Sequence, residues 1–309
     1  MDGHLHTMDP QGLGEFISTR EGLLSIIEQL RGGAKQRWPF EKMVKPIVEE
    51  LFKKRYCRNT PQGLARLWQE YPLQVNPELT WFRARELGEG GKSFSNASEL
   101  GPRSAKDTKE YGRCHVPGAP VGYCSLYEDI ALAEKNAETG KRYALAAYEL
   151  TEELIVLPVG EYDFFRRTGQ TYLGSVDPNA KAHYGKIQDG PDGRLLEVVD
   201  AFFAEEFISP ASRDTDYRVT AALSDLLFNS VAGVDGQKHR IDAIFYPSVA
   251  YRAGYNLAIQ PEAMEKKMCL VPSQTRIVRV TEAIGYGIFE KEDECILQAV
   301  GTDGTLKWK

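Results

Sequence analysis

Three observations on the 309-residue sequence predict an α+β fold. Segments with helical and with strand-like periodicity follow one another without the regular alternation that builds a doubly wound parallel sheet. No Gly-x-Gly-x-x-Gly turn follows a strand-like segment, so nothing marks a dinucleotide-binding βαβ unit. No internal repeat is visible that would call for a solenoid or a propeller.

The helical expectations come first along the chain. Leu23, Leu24, Ile26, Ile27 and Leu30 recur at helical spacing, and so do Met43, Val44, Ile47, Val48, Leu51 and Phe52. Thr60-Pro61 offers a cap and a first-turn proline ahead of Leu64, Leu67 and Trp68, which predicts a third helix. Residues 1–76 therefore read as an N-terminal helical segment, and residues 77–309 as the larger domain.

From Pro77 the character turns to β. Leu79–Arg85 is β-prone and partly alternating, and reads as a strand. The stretch from Gly88 to Gly112 has no periodicity and is long for a connector, which marks a functional loop. A short strand at Val121–Ser125, a helix over Glu128–Thr139, and strands at Tyr143–Leu150 and Leu154–Leu157 follow. Tyr162–Gly193 is turn-rich, Leu195–Phe207 and Tyr217–Phe228 are helical, and Ala243–Tyr246, Asn256–Ile259, Arg276–Thr281 and Tyr286–Phe289 continue the β character.

Composition narrows the function classes. Hydrophobic residues make up 42% and charged residues 27%, a balance that forms a globular core. The net charge of −6 repels polyphosphates at long range, so general nucleic-acid binding is not expected, and any anion pocket must be built from particular arginines. No run reaches the ~20 apolar residues of a membrane span, and the first residues carry no apolar core of signal-peptide length. The five cysteines, Cys57, Cys114, Cys124, Cys269 and Cys295, show neither zinc nor redox spacing, which fits free thiols in a reducing cytoplasm. His4, His6, His115, His183 and His239 show no metal-ligand spacing, so no metal is expected. Gly90-Gly91-Lys92-Ser93 imitates the end of a phosphate-binding loop. It has Glu86 where that pattern needs its first glycine, and no helix-opening residues follow.

One ordered constellation carries the chemistry. Gly112-Arg113-Cys114-His115-Val116-Pro117-Gly118-Ala119-Pro120-Val121-Gly122-Tyr123 is followed, eleven residues after the tyrosine, by Glu134 within Ala131-Leu132-Ala133-Glu134. Downstream stand Tyr246-Pro247-Ser248 and Gly254-Tyr255-Asn256-Leu257-Ala258, and upstream Phe82-Arg83. Over about Leu79 to Leu270 these segments resemble the RES domain family, named for an arginine, a glutamate and a serine. His115 stands where the family usually has asparagine, and Gly122 where a larger apolar residue is common.

The resemblance implies an ADP-ribosyltransferase-like fold, a split β-sheet core with surrounding helices around a cleft for NAD. It implies NAD as substrate with no separate cofactor, and a toxin that depletes NAD, as a glycohydrolase or phosphorylase, under restraint by a cognate antitoxin. Breaking the nicotinamide–ribose bond passes through an oxocarbenium-like state, which a carboxylate stabilises more than the ground state. Glu134 is the candidate for that carboxylate, with Arg113, Tyr123 and Ser248 completing the catalytic set. Arg83, Arg113 and, on the same strand face as Arg83, Arg85 are candidates to grip the pyrophosphate. Tyr123 is placed to stack on nicotinamide or ribose, Ser248 to meet the nicotinamide side, Asn256 to orient a ribose or the Ser248 loop, and His115 to offer a hydrogen bond. Transfer of ADP-ribose to a protein or nucleic acid, and a non-catalytic NAD-binding module, are the alternative readings.

Overall fold

The computed structural model describes residues 10–35, 38–60, 63–66, 71–73, 79–88, 93–170, 193–209, 217–229, 231–234, 237–250 and 254–309. In chain order its elements are α1 (Pro10–Phe16), α2 (Arg20–Lys35), a π-helical turn at Phe40–Val44 and α3 (Lys45–Tyr56). β1 (Cys57–Thr60), β2 (Gly63–Arg66), β3 (Tyr71–Leu73), β4 (Thr80–Glu86), β5 (Gly122–Ser125), α4 (Glu128–Ala133), β6 (Arg142–Leu150), β7 (Leu154–Pro158) and α5 (Glu161–Thr168) follow. Then come α6 (Gly193–Ile208), α7 (Arg218–Phe228), β8 (Val231–Val234), β9 (Gln237–Arg240), β10 (Ala243–Pro247), β11 (Tyr255–Ile259) and α8 (Pro261–Lys267). β12 (Met268–Leu270), β13 (Arg276–Gly285), β14 (Ile288–Val300) and β15 (Leu306–Trp308) end the chain. The α+β class expected from the sequence is what forms.

The elements gather into two compact units interleaved along the sequence. The first holds Met1–Tyr71, Thr108–Ala119 and Ile155–Ile244; the second holds Pro72–Asp107, Pro120–Leu154 and Phe245–Lys309. The expected cut at residue 76 lies beside the first crossing, but the chain crosses back and forth four times more.

The first unit is mainly helical. Leu23, Ile26, Ile27 and Leu30 line one face of α2 and are buried, while Leu24, off that stripe, is exposed. Val48, Leu51 and Phe52 of α3, Phe203 and Phe207 of α6, and Leu223 and Leu227 of α7 complete its core. Lys45 of α3 meets Asp225 of α7 at 2.8 Å. Buried Asp200 of α6 accepts a 2.8 Å bond from the backbone N–H of Asp163, capping the first turn of α5 from a neighbouring helix.

The second unit is a sheet. Its strand order is β15-β14-β13-β6-β4-β5-β11-β10, with β12 on the far end of β6, and each pair of described register runs antiparallel. β6 is central: Tyr143–Tyr148 is buried on both faces, and Ala144, Ala146 and Ala147 keep its layers close. β4 follows β6 along its whole length, yet meets β5 at a single pair, Phe82 with Ser125. The sheet is nearly split at that point.

Several expectations are corrected. Gly63–Arg66 does not open a third helix but closes a hairpin with Cys57–Thr60; Leu67 and Trp68 lie outside the described residues. The turn-rich stretch after Tyr162 contains α5, capped on both sides by left-handed Gly160 and Gly169. α4 stops at Ala133, well short of Thr139, because Asn136 turns left-handed and Gly140 follows it. Tyr286 is not in a strand but in the β13–β14 turn, left-handed between Gly285 and Gly287. α1 and α8 were not expected. The described part of the Gly88–Gly112 stretch is tied down: Asn96 and Glu99 form a capping box, Ala97 N–H donates to Gly304 at 2.8 Å, and Trp308 donates to the Phe94 carbonyl at 2.7 Å. Gly90–Lys92 lies outside the described residues.

Gly160 has φ 77, and a Cβ there would stand 2.7 Å from that of Ala204. Gly160→Ala is expected to lower unfolding free energy by about 2 kcal/mol, from backbone strain and overpacking together; urea denaturation measures it.

Candidate active site

α4 carries Glu134 as its C-terminal cap residue, and both ends of the helix are held. At the first turn, Glu128 pairs with Arg276 at 2.6 Å and Asp129 with Lys291 at 2.5 Å, which also suits the positive end of the helix dipole. Ile130, Ala131, Leu132 and Ala133 are buried, so the helix keeps little rotational freedom. Glu134 is delivered to a fixed place at the other end.

There two donors share one carboxylate oxygen. Ser248 Oγ and Asn256 Nδ2 each donate to Glu134 Oε1 at 2.6 Å. The amide of Asn256 is oriented by Ser125, whose hydroxyl donates to Asn256 Oδ1 at 2.6 Å. Ser248 is fixed in turn: its N–H donates to Gly254 at 2.8 Å, and its Oγ accepts from the Ala250 N–H at 3.2 Å. Ser125, Ser248 and Asn256 are 3%, 3% and 1% exposed, and Glu134 is half-buried. A carboxylate at a helix C-terminus faces the negative end of the dipole, and the two donors offset that repulsion. Glu134 Oε2 has no hydrogen-bond partner among the described residues, so one oxygen is anchored and the other is available.

Strand register sorts the remaining candidates. Phe82, Ser125 and Asn256 are cross-strand partners and share a face, and Tyr123, two residues before Ser125, projects from it too. Arg83 and Arg85 project from the opposite face. Arg83 is buried and donates from Nε to the Leu100 carbonyl at 3.1 Å and from Nη1 to the Tyr123 carbonyl at 2.8 Å. It bridges the gap where β4 and β5 cease to pair, and thereby holds the strand that carries Tyr123 and Ser125. Arg85 donates to the Gly101 carbonyl; burial first, then the Arg83 and Arg103 charges, lower its pKa to about 10.

Arg113 and His115 lie in the helical unit. The Arg113 side chain is buried, donates to the carbonyls of Phe207 and Ser209 (the latter at 3.1 Å), and sits 4.8 Å from the Tyr217 ring centroid. It thus caps the C-terminal end of α6. Gly112 and His115 exchange backbone hydrogen bonds at 2.9 and 3.3 Å, and the imidazole lies over Gly112, where a Cβ would be 2.0 Å from it. At Gly122 a Cβ would be 2.6 Å from the sulfur of Met264, on α8, so a larger residue there requires that side chain to shift.

Glu134, Ser248, Asn256 and Tyr123 are thus built into one unit, with Ser125 as a member that the sequence reading missed. A serine at a strand end carries no pattern of its own; only its register with Asn256 marks it. Ser125→Ala is expected to cost about 1–3 kcal/mol by leaving a buried amide oxygen unpaired, while Ser125→Thr recovers most of it; thermal unfolding compares the two.

No curated protein and no solved structure matches the chain. The RES domain family model matches residues 80–279, a span that contains Arg83, Arg113, Tyr123, Glu134, Ser248 and Asn256. The nearly split sheet and its helices are consistent with an ADP-ribosyltransferase-like core. With most of its length matched by that one model, and the glutamate and serine of the family's name hydrogen-bonded to each other, this chain belongs to the RES domain family.

Proposed function

We propose that this RES domain consumes NAD by breaking the bond between nicotinamide and ribose. The observation that carries the reading is the Glu134 carboxylate, held through one oxygen by Ser248 and Asn256 with the other oxygen available. As the glycosidic bond lengthens, the electron pair leaves with nicotinamide and positive charge spreads over the ribose C1′ and ring oxygen. Oε2, close to that charge or bonded to a ribose hydroxyl, gains more from the transition state than from the substrate. The two donors on Oε1 keep the carboxylate from reorienting while the charge develops, so no reorganisation is needed at that moment. Tyr123, on the same face, offers a ring against nicotinamide or ribose. Arg113 and His115 enter this reading through the family motif.

Water adds to C1′ and gives ADP-ribose, nicotinamide and a proton; inorganic phosphate in its place gives the 1-phosphate of ADP-ribose. Loss of cellular NAD by either route is the action of a toxin, and a cognate antitoxin that covers the carboxylate is the partner this reading implies. Among the described residues no helix is long and apolar enough to cross a membrane.

Purified protein is expected to release nicotinamide from NAD, with or without phosphate, followed by chromatography; no release at high enzyme concentration defeats the reading. Radiolabelled NAD added to lysate is expected to yield small labelled products, and a labelled macromolecule instead supports ADP-ribosyl transfer. Glu134→Gln is expected to reduce kcat by about 10²–10³-fold with little change in KM, because the lost interaction belongs to the transition state. Asn256→Ala is expected to fall between the native enzyme and Glu134→Gln, since it releases the carboxylate without removing it.

A further inference from the structure

β14 is paired on both sides for only part of its length. β15 meets it at Leu297, Ala299 and Val300, and Ile296 exchanges two 2.9 Å backbone bonds with Lys309. From Ile288 to Asp293 its only strand neighbour among the described residues is β13. The register irregularities beside that stretch fall on β13, at Thr281 and Ile284, so β14 itself runs unbroken from Ile288 to Asp293. Its outer side there presents a row of backbone donors and acceptors that no strand takes up among the described residues. The hairpin also outruns the sheet. β6 pairs with β13 only over Arg276–Arg279, and farther out the Ala283 N–H donates to Thr139 Oγ1 at 2.9 Å.

The side chains on this projecting hairpin combine exposed apolar groups with unmet negative charge. Ile284, Tyr286 and Ile288, clustered at the tip, are 53%, 94% and 50% exposed. Tyr286 is left-handed, with φ 56, between Gly285 at φ 108 and Gly287 at φ 76. A bulky residue rarely takes that conformation, and here the turn uses it to hold an aromatic ring clear of the protein. Along β14, Ile288, Glu290 and Glu292 alternate onto the exposed face. Phe289 packs against the core under α4, and Lys291 is held by Asp129 at 2.5 Å. Glu290 stands directly opposite Glu282 of β13, and none of Glu282, Glu290 and Glu292 has an ion-pair partner among the described residues. Like charges across a strand pair are destabilising, so the hairpin carries negative charge that it does not itself meet.

We propose that the free edge of β14, from Ile288 to Asp293, docks a strand of a partner protein: an extended segment with one apolar residue and two lysines or arginines at alternate positions. Main-chain bonds to the edge supply the attachment, and the alternate side chains supply the choice of partner. A strand added beside β14 sets its residues about 5 Å from Ile288, Glu290 and Glu292 on the exposed face. That spacing asks for an apolar residue and two cations. Tyr286, at the tip, offers its ring to the apolar end of the segment. The glutamates turn away other occupants. A second copy of this chain, presenting the same edge, would set carboxylate beside carboxylate in a chain whose net charge is −6. The exposed side chains lie on the face away from α4, so this surface is separate from the Glu134 carboxylate.

Fluorescence anisotropy of labelled peptides titrated with the full chain tests this without NAD, so the outcome is independent of nicotinamide release. The probe is a short capped peptide with valine, lysine and lysine at alternate positions and threonine between them, and it is expected to bind saturably. N-methylation of alternate residues removes the donors that face the edge in one phase and those that face solvent in the other. Only the first is expected to weaken binding, by about tenfold. Glu290→Lys/Glu292→Lys is expected to bind the lysine peptide at least about tenfold more weakly and to gain affinity for its glutamate counterpart. Both side chains are exposed, so the fold is expected to persist, which thermal unfolding checks. The isosteric pair Glu290→Gln/Glu292→Gln is expected to give a smaller loss in the same direction. No saturable binding, indifference to the phase of methylation, or unchanged binding by the charge-reversed variant overturns the proposal. A dimer of the native chain in sedimentation, dissociated by that variant, overturns it too by giving the edge to a second copy.

Discussion

A single carboxylate oxygen, Oε1 of Glu134, is where the local structure of this sheet converges. It accepts from two side chains that reach it from β11 and from the loop after β10, while the helix that carries it is clamped at the opposite end by Arg276 and Lys291. Each participant has its own support: Ser125 for Asn256, the Gly254 carbonyl and the Ala250 N–H for Ser248. Buried polar chains of this kind are held at high cost if any member is missing and give a narrow range of geometries if all are present. That makes the orientation of the second oxygen a property of the whole sheet rather than of one side chain.

The near-split between β4 and β5 is the other constraint. One backbone pair, Phe82 with Ser125, joins the halves, and Arg83 replaces the missing ladder with a side-chain bond to the Tyr123 carbonyl. An arginine suits this task because its planar donors span a gap that backbone amides do not reach. The same choice leaves a charge at the edge of β4, to which Arg85 adds. The opposite face of that strand, through Phe82 and Ala84, belongs to the core under α4.

Much of this was legible in the sequence because it depends on order and period. Four motifs in sequence order single out Glu134, Ser248 and Asn256, and α2, α3, α6, α7, β4 to β7, β10, β11 and the start of β13 follow their periodicity, while β8, β9, β12, β15 and most of β14 do not. What escaped depends on partners distant in sequence. α5 owes its ends to two left-handed glycines and its first-turn cap to Asp200, 37 residues away. Thr60-Pro61, a fair helix start by local rules, is overruled where a hairpin forms instead. Ser125 is meaningful only opposite Asn256, and the carbonyl partners of Arg83 and Arg85 only once Leu100 and Gly101 fold back onto β4. Alternation along the strand puts Arg85 on the same face as Arg83, but which face holds the glutamate is readable only from the register.

The packing of His115 over Gly112 links two positions of the family's signature run. The ring occupies the space beside Gly112, so a side chain there would have to displace the imidazole of its neighbour three residues on. The histidine that replaces the usual asparagine thus has a footprint beyond hydrogen bonding: it makes the two sites interdependent. A larger residue at 112 would have to turn that imidazole away or accompany its loss, so a change at either position is felt at the other.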